Sequence, residues 1–225
     1  MANVAKASLD PSTARELLLP YQRRHVGNAA RFTCLNWSRQ VGKSHASSLR
    51  RIIRGVSRRR NQIFLSAGER QSRELMAKAR THIEAMKLAF AYDEKDVTFD
   101  DVTYKQLEIS LPAVGIRIIG LPANPNTARG FTGDVLLDEF AMHKHDRAIW
   151  ASVFPTVLRG AGELDVCSTP AGRQNMFYRM QSNPSFAHST VTIDDAIADG
   201  LEVNREELYR AMGDYARAEP LYQRA

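Results

Sequence analysis

One short stretch limits the fold of this chain more than any other. The apolar run Phe32-Thr33-Cys34-Leu35 leads into Trp37-Ser38-Arg39-Gln40-Val41-Gly42-Lys43-Ser44, and a helical pattern starts at Gly42. A strand, a loop ending in Gly-Lys-Ser and a helix, in that order, put backbone N–H groups and the positive end of a helix dipole at the loop. That arrangement is a cradle for phosphates. Gly42 lets the backbone approach closely. Lys43 would reach the β and γ phosphates of a nucleotide, and the Ser44 hydroxyl would ligate Mg²⁺. The usual pattern opens on glycine, whereas Trp37 stands there in this chain. Gly-Lys-Ser is a weak signal by itself, and its bland alternative is an ordinary strand–helix turn with a stray lysine.

A second element raises the specificity. Residues 134–139 read Asp134-Val135-Leu136-Leu137-Asp138-Glu139, an apolar strand ending in two acids. Carboxylates at a buried strand end are costly unless a cation or hydrogen-bond donors satisfy them. Asp138 would hold Mg²⁺ and Glu139 would act as general base on the attacking water. A solvent-exposed turn after a strand is the competing explanation for the acids alone. Both motifs in one chain, with strands and helices between them, point to an ATP-hydrolysing enzyme with ATP and Mg²⁺ as its ligands.

The pattern around these motifs alternates. A short helix or turn is expected over 13–19, stopped by Pro20. Strands are expected at 31–36, 62–66, 115–120, 135–137 and 163–168. Helices are expected from 43 to about 57, from 69 to about 91, near 145–155 and over 173–183. The long helix rests on Leu75, Ala79, Ile83, Met86 and Phe90 at spacings of three and four. Two strand-like runs, 97–99 and 107–111, read as an antiparallel pair joined through the polar stretch 100–106. Residues 121–133 read as a loop and 204–225 as a helical tail. Alternating strands and helices argue for an α/β fold with a mostly parallel central sheet flanked by helices.

Composition bounds the function classes. Apolar residues make up 44% and charged residues 25%, enough for a sizeable core. The formal charge of +6 is compatible with a polyanionic partner such as nucleic acid without requiring one. The two cysteines, Cys34 and Cys167, lie in apolar runs and read as buried free thiols, which fits a reducing cytoplasm. No apolar run approaches the ~20 residues that span a bilayer, so no membrane is expected. His143 and His145 flank Lys144 with no cysteine nearby, so no zinc site is expected there. Arg50, Arg51, Arg54, Arg58, Arg59 and Arg60 fall at and beyond the end of the loop helix. Cations suit a helix C-terminus, and contact with DNA phosphates is the sharper alternative.

At this point the residues resemble the large terminase subunit of tailed bacteriophages. The loop from Ser38 to Ser44 is similar to that family's variant phosphate loop, which lacks the first glycine and carries an arginine. Leu19-Pro20-Tyr21-Gln22 resembles its adenine-recognition segment. Arg129-Gly130 resembles its Arg-Gly element. Ser168-Thr169-Pro170-Ala171-Gly172, with Asn175 and Phe177-Tyr178, resembles its coupling motif. The resemblance covers about residues 15–200 and implies a P-loop NTPase of RecA-like, additional-strand class. It implies a domain order of a flexible 1–14, an ATPase domain at 15–200 and a helical segment at 201–225. Family members continue into a nuclease domain, for which a chain ending at Ala225 leaves no room.

The resemblance also implies roles. Tyr21 and Gln22 would bind adenine. Ser38, Arg39, Gln40, Val41, Gly42, Lys43 and Ser44 would hold the phosphates, with Ser44 and Asp138 on the metal. Lys43, Arg39 and Glu139 would be catalytic. Arg129 would be an arginine finger supplied to a neighbouring subunit, and Ser168 and Thr169 would sense the γ phosphate. The implied activity is a motor that couples ATP hydrolysis to movement of double-stranded DNA into a procapsid in the host cell cytoplasm. Its implied partners are a portal protein, a small terminase subunit and copies of itself in a ring, with a monomer in isolation. A helicase-like ATPase is the alternative, though 225 residues cannot hold the second RecA-like domain a helicase normally needs.

Overall fold

The computed structural model describes residues 18–99, 101–126 and 131–203. The chain begins with α1 (Pro20–Gly27), β1 (Phe32–Trp37), α2 (Lys43–Arg58), β2 (Gln62–Ser66) and α3 (Glu69–Ala85). An antiparallel pair follows, β3 (Ala91–Phe99) and β4 (Val102–Leu111), and then β5 (Ile116–Pro122) and β6 (Asp134–Asp138). A 3₁₀ turn, Phe140–Met142, leads to α4 (Asp146–Arg159), β7 (Leu164–Ser168), α5 (Met176–Met180), β8 (Ala187–Val191) and α6 (Ile193–Ala198).

The strands form one eight-stranded sheet in the order β3-β4-β5-β2-β6-β7-β1-β8. From β5 to β8 all neighbours are parallel, and β3–β4 and β4–β5 are antiparallel. β7 therefore stands between the loop-bearing strand β1 and the acidic strand β6. That inserted strand defines the additional-strand arrangement of P-loop folds. The parallel strands read as continuous apolar runs because helices cover both of their faces. Leu35, Leu136 and Cys167 face a core shared with Leu49 and Ile52 of α2 and Leu75 and Ala79 of α3. Cys34, Leu137 and Val166 face a second core shared with Ile149, Val153 and Val157 of α4.

Several element ends differ from expectation. Pro20 opens α1 instead of stopping a helix, because a missing N–H is harmless in the first turn. Residues 13–17 lie outside the described residues, as does the expected helix at 204–225. The helix expected to reach residue 91 stops at Ala85. Lys87 takes φ 53° and the Leu88 N–H donates to the Ile83 carbonyl at 3.1 Å, a left-handed helix end. Phe90 still packs on the first core from beyond that end, which imitates helical spacing. The stretch 100–106 is mostly strand, since β4 starts at Val102. α4 runs through Pro155 to Arg159, and the helix expected over 173–183 is only Met176–Met180. β8 and α6 were not expected at all.

The arginines of α2 are the largest surprise. Arg50 and Arg51 are fully buried. Arg50 pairs with Asp165 at 2.5 Å, and Arg51 pairs with Glu163 at 2.5 Å and Asp165 at 2.9 Å. Arg54 and Arg58 also bind Glu163, and Arg60 binds Asp134 at 3.1 Å. These carboxylates sit where β6 and β7 begin, opposite the phosphate loop. Neither a solvated helix end nor DNA accounts for Arg50 and Arg51, which neutralise buried acids inside the protein. Burial raises the Glu163 carboxyl, but hydrogen bonds from Arg54 and the charge of Arg51 overcome it and hold it at about 2. Burial likewise raises Asp165, and Arg51 and Arg50 pull it down to about 2.

Both carboxylates take protons less readily folded than unfolded, where such groups titrate near pH ~4. Their stabilisation is complete above that range and lost as pH falls toward about 2. Urea midpoints measured across pH are expected to drop steeply in this acid window. Glu163→Gln leaves three cations short of a partner and should cost roughly 3–5 kcal/mol at neutral pH. An unchanged midpoint in that variant would show that the network contributes nothing.

Candidate functional site

The parallel strands end in register. Asp138 of β6 lies opposite Cys167 of β7, and Ser168 lies opposite Asn36 of β1. The C-terminal ends of three adjacent strands thus meet at one edge of the sheet, the place where open α/β sheets form their ligand crevice. The loop between β1 and α2 lies over that edge.

Trp37 is the last residue of β1 and not part of the loop proper. It is fully buried, donates its indole N–H to Ser189 Oγ at 2.9 Å and packs edge-on against Tyr21 and His25. A glycine there would leave that space empty. The positive φ values that a phosphate loop needs occur later, at Gln40 (58°) and Gly42 (82°). α1 clamps the loop from behind. Tyr21 Oη and Gln22 Nε2 both donate to the Val41 carbonyl, at 2.7 and 3.0 Å, while Gln22 Oε1 accepts from the Leu19 N–H at 3.1 Å. A Cβ on Gly42 would lie 2.4 Å from Gln22 Nε2, so a larger residue would push the Gln22 amide off the Val41 carbonyl as well as strain φ. Arg39 and Gln40 are exposed at the loop tip, Ser38 is half-buried and Val41 is buried.

Lys43 is the first residue of α2 and is almost fully buried. Its ammonium has three acceptors: Ser38 O at 3.2 Å, Thr169 Oγ1 at 2.8 Å and Glu139 Oε1 at 3.2 Å. The next residue, Ser44, donates to Asp138, with its Oγ 2.9 Å from Oδ1 and 3.1 Å from Oδ2. Glu139 follows β6 with φ 51°, and its second oxygen accepts from the Thr169 N–H at 3.2 Å and lies 3.4 Å from Ser168 Oγ. Burial pushes the Asp138 carboxyl up, and the neighbouring Glu139 adds to this against the pull of Cys167, Ser44 and Lys43.

The structure therefore brings together Lys43, Ser44, Asp138, Glu139, Ser168 and Thr169, which lie on three separate stretches of sequence. Tyr21 and Gln22 stand one layer behind, on the loop backbone. Arg129 lies outside the described residues. Two neighbours were missed. Cys167, read only as a buried thiol, donates to Asp138 Oδ1 at 3.1 Å. His143, considered only as a zinc ligand, bonds the Asp138 carbonyl through Nε2 at 2.9 Å. The alternation of β7 offered a hint for Cys167, because strands side by side in register must set it against the last residue of β6.

Chemically, such a site offers a cation beside a row of loop amides, a hydroxyl–carboxylate pair and a second carboxylate. These are the parts that hold a magnesium-bound polyphosphate and activate water. Known proteins resemble the chain in sequence and in fold. A curated relative, the probable terminase large subunit gp28 of Escherichia phage Mu, is 26% identical over 82% of this chain. The match spans 36% of that protein, so the chain covers little more than a third of its length. The large terminase ATPase domain of Thermus phage P74-26 superposes with a TM-score of 0.60 at 20% identity, covering 87% of each chain. A large terminase from a thermophilic bacteriophage, solved in complex with ADP, superposes with a TM-score of 0.64 at 15% identity, covering 86% of this chain and 50% of that one. These likenesses establish a P-loop, RecA-like fold. The family described as terminase large subunit, T4-like-virus type, N-terminal, matches residues 34–221, and the chain belongs to that family.

Proposed function

We propose that this chain is the ATP-hydrolysing motor domain of a DNA-packaging terminase, coupling ATP hydrolysis to movement of double-stranded DNA into a procapsid. The observation that carries it is the convergence of Lys43, Ser44, Asp138, Glu139 and Thr169 at one strand edge. The family to which the chain belongs supports the packaging role. On this reading the chain works in the host cell cytoplasm with a portal protein, a small terminase subunit and further copies of itself. Among the described residues no helix is long and apolar enough to cross a membrane.

The donor set fits magnesium. Ser44 and Asp138 are hard oxygen ligands side by side, and a cation would offset the cost of the buried Asp138 charge. Bound there, Mg²⁺ would neutralise charge on the β and γ phosphates. The other parts belong to the protein. Tyr21 and Gln22 set the loop against the adenine side of the nucleotide. The amides of residues 38–44 and the Lys43 ammonium bind phosphate oxygens. Arg39, exposed on the loop, closes on the γ phosphate and stabilises its developing charge. Glu139 takes the proton of the attacking water.

Lys43 ties the site together, because its ammonium reaches Ser38 O, Thr169 Oγ1 and Glu139 Oε1. Phosphate oxygens that capture Lys43 also release Glu139 toward water and Thr169 toward the γ phosphate. Because the Thr169 N–H and Ser168 lie against Glu139, arrival and loss of the γ phosphate reach the 168–172 segment directly. Arg129 would complete the site of a neighbouring subunit.

Glu139→Gln is expected to cut turnover by about 10²–10⁴-fold while a fluorescent ATP analogue still binds; unchanged turnover would remove Glu139 from the mechanism. Cys167→Ala should raise the Mg²⁺ concentration for half-maximal ATPase by about tenfold, and Cys167→Ser should restore it. Equal behaviour of the two variants would reduce Cys167 to packing. Arg129→Ala should lose hydrolysis only where subunits assemble, and the same loss in a strict monomer would sink the trans role.

A further inference from the structure

The arginines that looked most suited to DNA point inward, so the exposed positive charge has to be located elsewhere. Most exposed surfaces of the described residues are balanced or acidic. On α3, Arg70 pairs with Glu74, Arg80 with Glu84, and Arg73 with Glu69 and Glu94. The β3–β4 hairpin carries Asp93, Glu94, Asp96 and Asp101 against Lys95 and Lys105. α6 and its end carry Asp194, Asp195 and Asp199.

Among the described residues, exposed cations without a carboxylate partner include Arg23, Arg39, Arg59 and Lys87 on separate elements, and a group that lies directly beyond the site. Lys144 and Arg147 lie on the segment that continues from Glu139 into α4, and Arg179 lies on α5, which continues from Ser168 and Thr169. All three side chains are exposed, and none pairs with a carboxylate among the described residues. The two segments are tied together, because Asp146 of α4 accepts from the Met176 N–H at the start of α5. Asp146 also accepts from the Arg147 N–H at 2.7 Å and is the one acid between Phe140 and Ala148, so Lys144, Arg147 and Arg179 still outnumber the acids here. Gln174 is exposed and Gln181 half-buried beside Arg179, and His145 is exposed beside Lys144. The stretch 172–183 contains no acid.

We infer that this surface, Lys144, Arg147 and Arg179, is where the chain grips the phosphate backbone of duplex DNA. The choice of ligand rests on the DNA-motor reading above; the position rests on charge. Duplex DNA presents one negative charge per ~1.7 Å of axis and is held without sequence preference by unpaired Lys and Arg. The placement adds a functional reason. β6 and β7 are neighbours, and each runs directly from a nucleotide-site residue into one half of the surface. A change at Glu139 or Thr169 would therefore reach the DNA contacts along one continuous connection each, Glu139 to Lys144 and Thr169 to Arg179.

The test is fluorescence anisotropy of the full chain with a labelled duplex of mixed sequence across a salt series, alongside binding of a fluorescent ATP analogue. Lys144→Gln/Arg147→Gln/Arg179→Gln is compared with Arg70→Gln/Arg80→Gln/Lys105→Gln, which removes the same net charge elsewhere. The first variant should bind duplex at least about tenfold more weakly and lower the slope of log affinity against log salt by about 2–3, near 0.9 per lost phosphate contact. The second should bind like the unaltered chain, and ATP-analogue binding should persist in both. Equal effects from the two variants, or none from the first, would overturn the inference and leave the surface to a protein partner. An unaltered chain that binds nucleotide but no duplex at low salt would also overturn it. Surface-dependent duplex binding without any nucleotide binding would instead defeat the ATPase reading and leave this one standing.

Discussion

Helix α2 is held over β6 and β7 by polar bonds from its first turn and its middle, and the site depends on that double attachment. At its start Lys43 reaches Thr169 after β7 and Ser44 reaches Asp138 at the end of β6. Two turns on, Arg50 and Arg51 reach Asp165 near the start of β7 and Glu163 just before it. The two strands are five residues long, so the helix spans them from end to end with a polar bond at each. Buried charges left without partners would destabilise the fold by several kcal/mol each. The same requirement fixes the rotation of α2 and the height of Lys43 above the sheet. Apolar packing of Leu49 and Ile52 could not do this alone, because such contacts are non-directional.

That attachment explains how a mobile chemical event can act on a rigid frame. The parts of the site that must stay in place, the loop backbone and Ser44, are pinned by Gln22, Tyr21 and Asp138. The parts that would change partners, Lys43, Glu139 and Thr169, are bonded chiefly to one another. On the proposed mechanism, substrate phosphates would compete for those bonds and not for the ones that fix the frame. Glu139 sits at φ 51°, outside the ordinary region for a side-chain-bearing residue. Its backbone is bent out of the strand direction, and its carboxylate is thereby turned across β7 to the coupling segment.

How much of this the sequence disclosed follows from where each signal is written. The strand into the loop, the loop itself and the acidic strand are local patterns, and Phe32–Leu35, Gly42–Ser44 and Val135–Glu139 each carry their meaning within a few positions. The parallel sheet followed from their alternation. The arginine network was not legible, because its acids, Asp134, Glu163 and Asp165, are separated from α2 by whole elements, and each charge taken alone reads as surface. Lys87 and Asp101 take positive φ without being glycine, so the end of α3 and the turn of the hairpin left no glycine or proline signal. β8 alternates between half-buried and exposed positions at the sheet edge, so it lacks the apolar run that announced the inner strands. Cys167 was legible as a strand residue, and only pairing register turned it toward Asp138.

The same distinction governs how the positive charge should be interpreted. A net +6 invites a search for the densest run of arginines, and that run is α2. Yet density along the chain measures nothing about charge available to a partner. Arg50 and Arg51 spend their charge on acids inside the fold, and those on α3 spend theirs one turn away. Among the described residues, the exposed cations without a carboxylate partner include Lys144, Arg147 and Arg179, on two short connections after β6 and β7. Those connections could not be recognised as one surface until Asp146 was seen to join them. On the proposed motor reading this placement has a use: the buried arginines stabilise the fold, and the exposed cations lie on connections that leave the nucleotide site.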